Sequence, residues 1–178
     1  SEFSKGNSQI YAEVRRLKPD GDYGWCSVLI MKEIIDNSEE IAMYLVQDID
    51  ERKNNEVQLK VEAKKDSLTK LFNKNTTKEL IESYISDAGT EGSHAFIIID
   101  IDNFKTINDT RGHYAGDEIL TEFARELKRY FRDTDILGRV GGDEFIVLIK
   151  NVQSVEMVCD KLQKLKKKKK KFGIDNNF

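Results

Sequence analysis

The sequence predicts an α/β (α+β) chain: an antiparallel β meander, a connecting helix, then a sheet flanked by helices. Three observations carry this. Residues 10–49 alternate β-rich runs with turn residues. Residues 50–66 are highly charged and contain no Gly or Pro, and from residue 66 onward helical apolar stripes alternate with short apolar runs. The first pattern belongs to hairpins, the second to an exposed helix, the third to a sheet covered by helices.

The β meander consists of "IYAEVRRL" (10–17), "WCSVLIMKE" (25–33) and "IAMYLVQDI" (41–49). Pro19, Asp20, Gly21 and Gly24 punctuate the first gap, and Asp36 and Asn37 the second, as short hairpins require. Three strands alone bury little. This part therefore reads as the end of something larger or as something completed by a partner. The run "DERKNNEVQLKVEAKKD" (50–66) reads as an exposed helix. Val57, Val61 and Leu68 give it a thin apolar stripe, equally suited to a solvated connector and to a dimerising stalk.

Thr76 and Glu79 have the spacing of a capping box ahead of Leu80, Ile81, Tyr84 and Ile85, the apolar face of a helix. "HAFIIIDI" (94–101) is a continuous apolar run, expected to be a central strand buried on both faces. A second helix is expected over residues 116–131, with Ile119, Leu120, Phe123, Leu127 and Tyr130 on one side. "LGRVGGDEFIVLI" (137–149) then reads as a hairpin turning at Gly141-Gly142, two residues that tolerate φ > 0. A last helix is expected near 152–166.

Composition bounds the function. The 178 residues allow one or two domains. A net charge of −3 is no general basic field, so nucleic acid is not an expected partner. No apolar run approaches the roughly 20 residues that span a bilayer, so no membrane segment is expected in this chain. Cys26 and Cys159 lie far apart without a CxxC, which fits neither a disulfide framework nor a zinc site. A reducing, cytoplasmic location is expected.

The acids then ask for a role. Asp100 and Asp102 follow the apolar run directly, at the strand end where α/β folds expose chemistry. Asp143 lies in the hairpin turn. Alone, that turn is equally a solvated loop. If Asp100 and Asp143 meet on adjacent strands, they form an oxygen-only site suited to Mg²⁺, and such sites serve phosphoryl or nucleotidyl transfer.

Four stretches carry a resemblance. "DSLTKLFNK" (66–74) resembles DxLTxLxNR, and "DIDNFKTINDTRGHYAGDEIL" (100–120) resembles DxDxFKxINDxxGHxxGDxxL. "RVGGDEF" (139–145) matches a signature, and "DIDERK" (48–53) resembles the DITERK ending of many PAS domains. The chain thus resembles the GGDEF-domain diguanylate cyclases, preceded by the C-terminal part of a PAS/PAC sensor domain. On this basis residues 1–50 are the sensor part, 51–65 a helical linker and 66–178 the GGDEF domain.

The resemblance implies a bacterial signal-transduction enzyme, a nucleotidyltransferase that condenses two GTP into cyclic di-GMP and two pyrophosphates as a homodimer. Asp100, Asp143 and the carbonyl of Ile101 would hold Mg²⁺ (or Mn²⁺), with Glu144 at a second metal position and Asp143 helping to deprotonate the 3′-hydroxyl. Asn108 and Asp117 match guanine-reading positions. Backbone groups at Asn103 and Phe104, with Lys105, would meet phosphate. Gly141 and Gly142 would let the backbone approach the nucleotide, while Phe104 and Ile107 read equally as packing and His113 as structural. "RDTD" places Arg132 and Asp135 where the family has an inhibitory site for its product.

Lys70 and Lys74 depart from the family's usual Gly and Arg. The family also has a further strand and helix after the position where this sequence ends, and the sensor part lacks the first half of a PAS domain, so both domains read as truncated. The alternative function is a catalytically incompetent fragment or a regulatory GTP- or cyclic di-GMP-binding module. The run Lys166–Lys171 reads as a solvated helix end or tail.

Overall fold

A computed structural model describes residues 9–35, 39–88 and 92–169. The chain divides into two compact units, Ser1–Val61 and Glu62–Phe178.

In the first unit, β1 (Gln9–Leu17), β2 (Tyr23–Ile35) and β3 (Glu39–Asp48) form an antiparallel sheet in the order β1-β2-β3. Tyr11 pairs with Leu29 and Leu29 with Leu45. The first turn closes through the Lys18 N–H donating to the Asp22 carbonyl at 2.7 Å, with Gly21 at φ +92°. That left-handed position favours glycine. The second expected turn, at Asp36 and Asn37, lies outside the described residues. Cys26 and Ile49 are buried, whereas Tyr44, Leu45 and Val46 are exposed.

Helix α1 (Asp50–Ala63) follows β3 after one residue, and charged contacts fix its start. The Asp50 carboxylate accepts the Trp25 N–H at 2.5 Å and pairs with the Lys18 ammonium at 2.5 Å. Glu13 takes Lys53 at 2.5 Å and Arg52 at 2.6 Å. Hydrogen bonds from Lys53, then Arg52 and Tyr11, hold the Glu13 carboxyl down at about 2, from an ordinary 4.5. Val57 and Val61 of the thin stripe are exposed, at 59% and 54%.

In the second unit, β4 (Ala95–Ile99), β5 (Ile136–Arg139) and β6 (Phe145–Ile149) form an antiparallel sheet in the order β4-β6-β5. The helices are α2 (Lys74–Ala88), α3 (Phe104–Arg111), α4 (His113–Tyr130) and α5 (Val155–Lys169). The apolar stripe of α4 builds the core as its spacing predicts: Leu120, Phe123, Ala124 and Leu127 cluster with Phe145, Val147 and Ile149 of β6. Phe123 and Phe145 meet edge to face, centroids 4.9 Å apart. Burying each such side chain contributes roughly 1.5–3 kcal/mol.

Three expectations need correction, and one helix stands where none is expected. Among the described residues β4 pairs with β6 only, so it is an edge strand; Phe96 and Ile98 are 54% and 66% exposed. An apolar run permits burial on both faces, but only packed neighbours supply it. The cap of α2 is Asn73, whose side-chain oxygen accepts the Thr76 N–H at 3.0 Å. Thr76 and Glu79 therefore lie inside the helix rather than forming a capping box. Ile85 is exposed, and α2 packs through Thr77, Ile81 and Tyr84 instead. Finally, the stretch before α4 contains a separate helix, α3, broken from it at Gly112 with φ +82°.

Among the described residues no helix is long and apolar enough to cross a membrane. Cys26 is buried and Cys159 exposed, and both are free. Lys170 and Lys171 of the lysine run lie outside the described residues.

Candidate nucleotide and metal site

The pairing of β4 with β6 ends at Ile99↔Phe145. The next residues along the two strands are Asp100 and Glu144, so both leave the sheet at the same end, with Asp143 one residue further into the turn. Asp100 and Glu144 are exposed and Asp143 is half-buried. Ile101 is 1% exposed, and its carbonyl accepts the Phe104 N–H at 3.2 Å, which leaves it a second lone pair. The donors gathered here are all oxygens, the set that suits a hard divalent cation such as Mg²⁺. Among the described residues no three His, Cys, Asp or Glu side chains stand grouped as a metal cage. The sheet thus brings the two chain segments together without closing their side chains around an ion.

The turn itself differs from a two-residue hairpin. Val140 N–H donates to the Glu144 carbonyl at 3.0 Å, which makes the loop wider. Neither Gly141 nor Gly142 has positive φ, so left-handed backbone does not explain them. A Cβ on Gly141 would stand 2.8 Å from Glu144 Oε2, whereas one on Gly142 would meet nothing within 4 Å. At Gly142 the protein leaves open space.

Arg139 braces this turn. Its Nε and Nη2 donate to the Gly142 carbonyl at 3.1 and 2.7 Å, and its Nη1 donates to Asp66 Oδ1 at 3.1 Å. Asp66 also accepts from the Thr69 N–H at 2.8 Å and the Thr69 hydroxyl at 2.6 Å. Burial works against its ionisation, but the Thr69 and Arg139 hydrogen bonds outweigh it and hold the carboxyl below its usual range. Both residues stand inside the quoted motifs, yet a contact across 73 residues of sequence leaves no local pattern from which to assign the pair.

Helix α3 starts beside the acids. Its N-cap, Asn103, takes the left-handed conformation at φ +56° and makes no side-chain cap. First-turn amides have no partner within their own helix. Phe104 and Ile107 pack against the core cluster, and Lys105 is exposed.

At the seam of α3 and α4, the Asn108 side-chain oxygen is buried with no hydrogen-bond partner. It lies over Gly116, where any Cβ would collide with it. Asp117 follows Gly116 on α4 and is exposed. It lines a cavity of about 600 Å³ together with Leu68, Tyr114, Ala115 and Ile119. Gly116 and the apolar walls Leu68 and Ile119 are features the sequence did not single out for the site. His113 is exposed at the first position of α4.

Arg132 and Asp135 do not form a paired surface. Asp135 is 5% exposed, and its two oxygens accept the Arg132 N–H at 2.9 Å and the Lys150 N–H at 3.2 Å. It ties the turn before β5 to the end of β6. Arg132 is exposed on a separate cavity of about 200 Å³ that Lys65, Lys70 and Lys128 also line. Burial and the neighbouring Lys128 push the Lys65 ammonium below its usual pKa. Lys70, where glycine is usual, has φ +56°.

With this geometry in place, comparison with known proteins is decisive. Residues 63–177 match the family described as diguanylate cyclase, GGDEF domain. The chain belongs to this GGDEF family. It is 34% identical over 131 residues to the probable diguanylate cyclase DgcE of Escherichia coli, a match covering 72% of this chain and 12% of DgcE. It is 35% identical over 107 residues to the diguanylate cyclase DgcS of Shewanella oneidensis, covering 59% of this chain and 36% of that protein. The chain thus spans a minor part of the curated relatives' length. Among solved structures, the GGDEF domain of DgcB from Caulobacter crescentus in complex with c-di-GMP superposes with a TM-score of 0.55 at 27% identity, over 58% of each chain.

Proposed function

We propose that this chain is the GTP-condensing part of a signalling diguanylate cyclase, which joins two GTP into cyclic di-GMP and releases two pyrophosphates. The observation that carries the reading is the strand register that brings Asp100 and the Gly141–Glu144 turn to one end of the sheet. The orphaned Asn108 oxygen beside Asp117 supports it, because a buried acceptor without a partner is costly unless a ligand supplies one.

In this reading Asp100, the Ile101 carbonyl, Asp143 and Glu144 would hold Mg²⁺ or Mn²⁺, which when bound neutralises phosphate charge. Asp143 takes the proton from the attacking 3′-hydroxyl. Asp117 accepts from the N1 and N2 donors of guanine, and the Asn108 amide supplies the complementary contact. Backbone groups at Asn103 and Phe104, with the Lys105 side chain, receive the phosphates. Gly142 keeps room for the nucleotide.

Each GGDEF domain offers half a reaction, so two copies must face one another. Residues 1–50 serve as the C-terminal part of a PAS sensor and residues 51–65 as the linker that sets this geometry. Feedback acts at Arg132, where Lys65 and Lys128 make the pocket attractive to a phosphodiester. Asp135 contributes by holding the turn.

The test is conversion of GTP in the presence of Mg²⁺, followed by mass detection of cyclic di-GMP. Asp143→Asn should abolish the product while leaving the circular dichroism spectrum unchanged. Turnover that survives the substitution refutes the role of Asp143. A wild-type chain that binds GTP or cyclic di-GMP by calorimetry without turnover is instead a binding module.

A further inference from the structure

We propose that Arg111 helps to determine base choice, donating to the O6 and N7 acceptors on the guanine edge that Asp117 leaves open. This role rests on the cyclase reading above and adds how the second edge of the base is recognised.

Helix α3 places Arg111 by its period. Phe104, Ile107, Asn108 and Arg111 recur three or four residues apart, so they share one face of the helix. On that face Phe104 and Ile107 pack against the core cluster, and the Asn108 side-chain oxygen lies over Gly116 of α4. Arg111 ends the same stripe and is exposed. It lines the cavity of about 600 Å³ that Asp117 lines from α4. Gly112, at φ +82°, breaks one helix from the next and so sets residues of both around one cavity.

The charges of that cavity single Arg111 out. Besides Asp117 its acids are Glu118 and Glu122, and its other cation, Arg125, is paired with Glu122. Among the described residues Arg111 has neither an ion pair nor a side-chain hydrogen bond, so its N–H donors remain available. A cation in the last turn of a helix is favoured by the helix dipole, and lysine serves that purpose equally. The planar fork of arginine adds directional donors that a lysine lacks.

Guanine carries acceptors at N7 and O6, and its N1 and N2 are donors. A carboxylate accepts only, and a guanidinium donates only. When Asp117 takes N1 and N2, O6 and N7 are left for a donor, and the arginine fork matches that pair. Adenine has an amino donor in place of O6, which would meet the N–H groups of Arg111 donor to donor. Acid and cation thus reject adenine separately, one at each edge.

The test removes one atom from the base rather than from the protein. Calorimetry with Mg²⁺ compares GDP with 7-deaza-GDP, which has a C–H in place of N7, on the whole chain and on Arg111→Met and Arg111→Lys. Thermal melts monitor the fold. Wild type should bind GDP about fivefold or more tighter than 7-deaza-GDP, as expected for one hydrogen bond from a charged donor. Arg111→Met should bind the two ligands equally, and Arg111→Lys, with the charge but not the fork, should keep at most part of the preference. A charge that only steered phosphates or stabilised α3 would weaken both ligands by the same factor and leave the preference intact. Equal binding by wild type, or the wild-type preference in a folded Arg111→Met chain, overturns the role of Arg111 and leaves that of Asp117 standing. Should Arg111→Met not fold, Arg111→Ala, which adds no apolar surface at this exposed helix end, takes its place. A wild-type chain that binds no GDP overturns the cyclase reading itself.

Discussion

The two units each contain a three-stranded antiparallel sheet, yet among the described residues the one with longer strands has fewer buried apolar residues. The strands of the first unit have 9, 13 and 10 residues, against 5, 4 and 5 in the second. Among the described residues the first unit buries Cys26 and Ile49, while the second gathers a cluster that includes Leu120, Leu127, Phe145 and Val147. The difference is α4. Its apolar stripe covers one face of the short sheet, whereas Tyr44, Leu45 and Val46 of β3 remain exposed. The first unit instead joins its sheet to a helix start through ion pairs at Glu13 and Asp50. Strand length satisfies backbone hydrogen bonds, but a packed face supplies the apolar burial that stabilises a fold.

The contrast can be broken most directly at one leucine in each unit. Leu127 is 0% exposed and Leu45 is 58% exposed. Leu127→Ala should destabilise its unit by about 2–5 kcal/mol, the range for leaving a core cavity. Leu45→Ala should change stability by less than about 0.5 kcal/mol, as an exposed site does. Urea titrations of both variants make the comparison, and an equally large loss at Leu45 would show that β3 is covered in solution.

Acid should act on the ionic joint of the first unit. The folded Glu13 carboxyl titrates at about 2, below its ordinary 4.5. The contribution of a depressed carboxyl is complete above the unfolded value and is lost as pH falls through the folded one. The Lys53 and Arg52 contacts should therefore weaken as pH drops from about 4.5 toward 2. Trp25 is the single tryptophan of the chain, and its N–H donates to Asp50 at the same joint. Its fluorescence should change over that interval in the wild type and change less in Glu13→Gln. Identical titrations of the two proteins would detach Glu13 from the joint.

The smallest expected effect sharpens the other side. Lys70 has φ +56°, a conformation that costs a residue with a Cβ roughly 1–2 kcal/mol. Lys70→Gly should remove that strain and give back part of the gain through a freer unfolded chain. A net stabilisation of about 0.5–1 kcal/mol in the second unit is expected by urea titration. A loss of stability would mean that the Lys70 side chain contributes more than its backbone strain costs.

Much of the fold was legible because it repeats locally. The alternating runs placed β1, β2 and β3 within two residues of their observed ends, and the stripe from Ile119 to Tyr130 marked the buried side of α4. The candidate site was legible through motifs, since Asp100, Asn108, Asp117 and Asp143 stand in quoted signatures. Less legible was anything requiring knowledge of a distant neighbour. Asn73, not Thr76, caps α2 because the hydrogen bond depends on where the helix begins. The RDTD sequence gave no sign that both oxygens of Asp135 accept backbone N–H groups.

By itself, then, the sequence determined the element types other than α3, the stripe that makes the core and the family to which the chain belongs. These follow from side-chain periodicity and from motifs, both of which are written along the chain. Tertiary structure alone decided that β4 stands at a sheet edge among the described residues, that Asn108 faces Gly116, and that Arg139 spans from Asp66 to the Gly142 carbonyl. Each of these depends on which distant atoms occupy a few ångströms of space, and no period or spacing encodes that.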